Sequence, residues 1–62
     1  MGKQVKIYNG WRVDDRVTLK SNHREYFIVE IEVNDLKPAR FLLDDGIEYK
    51  EVGEFDMVKK VS

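Results

Sequence analysis

Cysteine is absent from the 62 residues, which excludes a disulfide framework and every thiolate metal site and fits a reducing compartment. No apolar run approaches the length of a membrane span, and Met1-Gly2-Lys3-Gln4-Val5-Lys6 lacks the apolar stretch of a signal peptide. The expectation is a soluble, cytoplasmic protein without a leader. Catalytic side chains are equally scarce: one histidine, His23, one threonine, Thr18, and two serines, Ser21 and Ser62. Ser21 and His23 stand two apart in a loop, a spacing that sets no base against an oxygen, so no catalytic residue and no enzyme activity is expected. Glycine-rich phosphate loops, repeats and low-complexity segments are also missing. Alanine occurs once, which removes the strongest helix former.

What is present favours pleated structure. Eight valines, four isoleucines, three phenylalanines and three tyrosines suit half-buried strands. At this length one domain, residues 1–62, is expected, burying about 60% of the surface that the unfolded chain exposes. The formal net charge of −1 gives no overall pull toward nucleic acid or anionic lipid. Its distribution is uneven, with a net of +4 over residues 1–24 and −5 over residues 25–62.

The clearest strand runs from Tyr26 to Val33, with Phe27, Val29, Ile31 and Val33 on a core face and Tyr26, Ile28, Glu30 and Glu32 outside. Asn34-Asp35-Leu36-Lys37-Pro38 then reads as a hairpin loop. It pairs Val33 with Ala39, Ile31 with Phe41, Val29 with Leu43 and, outside, Glu32 with Arg40. A three-residue loop Asp44-Asp45-Gly46, with Gly46 left-handed, pairs Leu43 with Ile47 and Phe41 with Tyr49; a two-residue Asp-Gly loop would set Lys50 on the core face. By the same reasoning a Tyr8-Asn9-Gly10 loop matches Ile7 to Trp11 and Val5 to Val13, with a bend at Asp14-Asp15. Gly53 to Met57 suits one 3₁₀ turn before a last strand near Val58 to Val61. Short strands of this kind bury one face most simply in a closed or nearly closed barrel.

This order of elements resembles an SH3-like barrel of the KOW or Tudor type: all-β, five to six strands, with a 3₁₀ turn before the last. The residues that carry the resemblance are Val13-Asp14-Asp15-Arg16-Val17, Tyr26 to Val33, the hairpin tip Asp44-Asp45-Gly46, and Val52-Gly53-Glu54-Phe55-Asp56-Met57-Val58. Asp14 stands where many relatives have glycine. The aromatic cage of methyl-lysine readers and the proline-binding ladder of signalling SH3 domains are missing. The resemblance implies a binding module for RNA, DNA or another protein.

Two surfaces follow from the strand reading. The outer strand face offers Tyr26, Ile28, Glu30, Leu36, Leu42 and Glu48 as a small apolar patch with a polar rim, the expected protein-binding site. Tyr8, Trp11, Arg12, Arg16, Lys20, His23 and Arg24 mix rings with cations, the alternative nucleic-acid site. The acidic balance favours a protein partner. Asp44-Asp45-Gly46-Ile47-Glu48 lacks the alternating oxygen ligands of a calcium loop, so neither metal nor cofactor is expected. A monomer or weak homodimer fits the open strand edges. The small size and thin chemistry are those of an accessory or regulatory protein of phage or mobile-element type.

Overall fold

Strand formers punctuated by Asn, Asp and Gly fold into eight short strands in the computed structural model, which describes residues 2–59. They are β1 (Lys3–Val5), β2 (Ile7–Tyr8), β3 (Trp11–Arg12), β4 (Arg16–Leu19), β5 (Glu25–Val33), β6 (Arg40–Asp44), β7 (Tyr49–Gly53) and β8 (Met57–Lys59), with a 3₁₀ turn at Glu54–Asp56. The protein is therefore all-β. Among the described residues no helix is long and apolar enough to cross a membrane. The strand expected from Val58 to Val61 begins one residue earlier, and its last two positions lie outside the described residues.

β4 to β7 form an antiparallel meander, and β8 crosses back to pair with β4, giving the order β7-β6-β5-β4-β8. No ladder joins β7 to β8 among the described residues, so the sheet is not a closed barrel. β5 carries three partners: β6 runs along one edge, while β4 takes Glu25 to Phe27 and β1 takes Ile31 to Val33 on ladders of their own. β2 and β3 make a separate hairpin.

The alternation expected along β5 fails at one residue. Ile28 pairs with Leu43 and Glu30 with Leu42, leaving Val29 as a β-bulge. The extra residue shifts the face by one position. Tyr26 and Ile28, expected outside, are 1% and 0% exposed; Phe27, expected in the core, is 47% exposed. Beyond the bulge the expected pairs Ile31 with Phe41 and Glu32 with Arg40 hold.

Two turns also differ from expectation. Asn9 and Gly10 form a two-residue turn with φ of 50° and 89°, the doubly positive geometry that matches strand twist, so Ile7 faces Arg12 and Tyr8 faces Trp11. This register exposes Ile7 but brings two larger rings onto the core. The β6–β7 connection is the four-residue loop 45–48, pairing Asp44 with Tyr49, Leu43 with Lys50 and Phe41 with Val52. Ile47 and Tyr49 are thus exposed, not core. Lys50 does fall opposite Leu43, a position that the end strand β7 tolerates because a lysine there can keep its head in water, here 4.0 Å from Glu48. At the expected bend, Asp14 takes a φ of 77°, the left-handed region that aspartate tolerates best after glycine and asparagine.

The core is Val17, Leu19, Tyr26, Ile28, Ile31, Ala39, Phe41, Leu43 and Met57, with Val5, Tyr8, Trp11, Val13, Val33 and Val52 packed around it. Asp45 organises the 45–48 loop: its Oδ1 accepts from the backbone amides of Ile47 at 2.8 Å and Glu48 at 2.9 Å. Oδ2 lies 3.3 Å from the Arg24 guanidinium. The two amides, and then Arg24, hold this carboxyl below its usual range against the opposing effect of desolvation. A carboxyl lowered in the folded state stabilises above its unfolded pKa of about 3.9, and that contribution disappears as pH falls through the folded value. Urea denaturation from pH 7 down to about pH 2.5 is expected to lose stability in that acid window, with a shallower loss for Asp45→Asn. Parallel pH profiles for both proteins would remove Asp45 from the account.

Candidate functional site

The 3₁₀ turn ends β7 because Gly53 donates its amide to Asp56 Oδ2 at 2.9 Å, closing a three-residue turn. Such a short turn buries little, and none of its residues is buried. Phe55 at its centre is 83% exposed. Across from it run the end of the loop after β5, with Pro38 and Ala39, and Tyr8 of β2. Together with Arg40, Gly53, Glu54 and Asp56 these residues line a surface groove.

The groove is braced from below. Tyr8 and Trp11 both meet the buried Phe41 ring edge-on, at centroid distances of 6.2 and 5.9 Å. Trp11 Nε1 donates to Glu54 Oε2 at 3.1 Å and Asn9 Nδ2 donates to the same oxygen at 2.6 Å, tying the β2–β3 hairpin to the 3₁₀ turn. Arg40 sends Nε and a terminal nitrogen to Glu51 Oε1, at 3.2 and 2.9 Å. Its charge is thereby matched, and Glu54 and Asp56 leave the rim acidic. The arrangement offers an apolar wall, a rigid aromatic floor and carboxylate acceptors. These suit recognition of a chain carrying apolar and cationic groups.

The residues expected to bind protein do not form one surface. Tyr26 and Ile28 belong to the core, where the Tyr26 hydroxyl accepts from Asn22 Nδ2 at 3.2 Å; the bulge at Val29 is the reason. Glu30 and Leu42 do meet, in a shallow depression on the outer sheet face with Gln4, Glu32, Arg40 and Glu51. Leu36, 92% exposed, sits in the loop before β6, beside Pro38, while Glu48 lies in the loop after it, at the other end of the strand.

The basic set is dispersed in a similar way. Tyr8 and Trp11 are half-buried, each with its ring packed on Phe41. Arg16 lies over Phe27, 5.3 Å from the ring centroid, and Arg24 pairs with Asp45. Arg12, Lys20 and His23 are exposed. Among the described residues no three His, Cys, Asp or Glu side chains are grouped to hold a metal ion.

Pro38, Glu54, Phe55 and Asp56 were outside both expected surfaces. One signal for them exists in the sequence: a phenylalanine flanked by two acids, in a turn too short to have a buried side. Comparison with known proteins finds no match to this chain among family models, curated proteins or solved structures.

Proposed function

We propose that this chain is a noncatalytic binding domain of SH3-like architecture that recognises another protein, taking an extended segment with apolar and basic side chains into the groove beside Phe55. The carrying observation is Phe55 itself, 83% exposed on a turn fixed by the Gly53–Asp56 hydrogen bond and opposite Tyr8 and Pro38. Folding gains little from a phenylalanine in that position; a binding wall gains an anchor. The SH3-like reading is supported by the meander β4 to β7, the 3₁₀ turn after it, and the return of β8 to β4. Carboxylates around the groove favour a cationic peptide over phosphate-bearing nucleic acid. Among the described residues no nucleophile is hydrogen-bonded to a base, which favours binding over catalysis. A domain this small would regulate its partner by occupying a surface.

The test is an amide NMR titration with two unstructured peptides, one alternating leucine with arginine and the other leucine with glutamate, and with a mixed oligonucleotide. The basic peptide is expected to shift Tyr8, Ala39, Gly53 and Phe55, and Phe55→Ser to weaken it about tenfold while keeping the dispersed spectrum. Equal response to both peptides, or shifts confined to Arg12, Lys20 and His23 with the oligonucleotide, would refute the groove.

A further inference from the structure

The bulge in β5 has a second product besides the corrected core. Phe27 is turned out onto the sheet face, and the ladders set Arg16, Phe27, Asp44 and Tyr49 directly opposite one another on β4, β5, β6 and β7. Opposed residues share a face, so these four stand in one row on the outer surface. On the far side Val58 of β8 faces Thr18 of β4 on the same surface. Phe27, Tyr49 and Val58 are all exposed there.

The charges of the row have a definite order. Arg16 stacks on Phe27 and makes a long contact of 3.8 Å to Glu25, which leaves guanidinium donors for a further acceptor. Asp44 uses Oδ1 for the Gly46 amide at 2.8 Å, and its second oxygen has capacity for another donor. From β4 to β6 the row therefore reads cation, ring, anion, with each neighbour one inter-strand spacing of about 4.8 Å away.

We propose that this face is the contact between two copies of this chain, a weak isologous dimer centred on Phe27. A two-fold axis along β5 through Phe27 reverses the strand order of one copy over the other. Arg16 of each copy then meets Asp44 of its mate, the Phe27 rings meet at the centre, and the Tyr49 side of one sheet lies over the Val58 side of the other. The row is complementary to itself, which a surface made for a different partner does not require. Glu30 and Glu32, farther along β5 on the same face, oppose their own copies in this arrangement and keep the association weak. Of the groove residues only Arg40, opposite Glu32, stands on this face, and Phe27→Ser against Phe55→Ser separates the two proposals.

Sedimentation equilibrium from about 10 µM to about 1 mM tests the dimer. The native chain is expected to show a mass rising reversibly toward that of two chains. Arg16→Glu and Asp44→Lys are each expected to weaken association about tenfold, as like charges then meet at both pairs. An equimolar mixture of the two variants restores attraction at both pairs and is expected to recover native association. Phe27→Ser alters only the exposed centre and is expected to abolish the dimer while amide dispersion is kept. It also decides the matter with Arg16→Glu alone if Asp44→Lys disturbs the loop that Asp44 helps to hold. A chain monomeric up to the highest concentration, a dimer indifferent to Phe27→Ser, or a mixture of folded variants no better than its components would overturn the proposal.

Discussion

Phe41→Ala is expected to unfold most of the protein at 25 °C. The side chain is fully buried, pairs with Ile31 on one side and Val52 on the other, and makes T-shaped ring contacts with both Tyr8 and Trp11. Truncating a buried phenylalanine costs about 3–5 kcal/mol, and each ring pair adds about 0.5–1.5 kcal/mol beyond its area. A single small core of this size supplies only about 3–5 kcal/mol in total. The loss matches the whole, so the far-UV signal in buffer should be that of an unfolded chain. Phe41→Leu, which keeps most of the volume, should cost less than about 1.5 kcal/mol and give a measurable urea midpoint. A cooperative transition for Phe41→Ala near the native midpoint would show that the two rings do not depend on it.

Adjacent substitutions on β5 should have opposite outcomes. Ile28→Lys places an ammonium in a position with no exposure, in a core where no polar or charged residue is buried among the described residues; the penalty, about several kcal/mol, exceeds the stability available. Phe27→Lys puts the same charge on the open face opposite Asp44 and should leave a folded protein with a change of about 0.5 kcal/mol. Circular dichroism on the two purified variants reads the result. Strict alternation from Tyr26 to Val33 forecasts the reverse order, so the pair tests the bulge at Val29 directly.

That bulge marks where the sequence stops being legible. Ile31, Phe41, Glu32 and Arg40 pair as their side chains suggest, because charge and apolarity agree at each rung. Upstream of Val29 only Glu25 marks the outer face of β5, and Tyr26-Phe27-Ile28 by itself does not say which residues turn inward. The β6–β7 turn misled for a different reason. A lysine on the core side of β7 looks prohibitive if every such position must be sealed, but β7 is an end strand, and Lys50, opposite Leu43, is half-buried with its ammonium 4.0 Å from Glu48.

The proposed surfaces were less visible still. The outer patch included two core residues through the phase error, and the row through Phe27 was hidden by it. The basic set was assembled from chain neighbours, whereas folding spends Tyr8 and Trp11 on Phe41, and Arg24 on Asp45. The groove beside Phe55 draws on positions 8, 38–40 and 53–56, segments that only the crossing of β8 to β4 and the docking of the β2–β3 hairpin bring together.

The hydrogen bond from Trp11 to Glu54 gives the protein an optical property. Trp11 is the single tryptophan, and its indole N–H ends on a carboxylate in the wall of the groove. An occupant whose cation draws on that carboxylate changes the field along the indole, and with it the colour and yield of the emission. Occupancy of the groove would thus be written into the intrinsic fluorescence of the native chain, with no label attached.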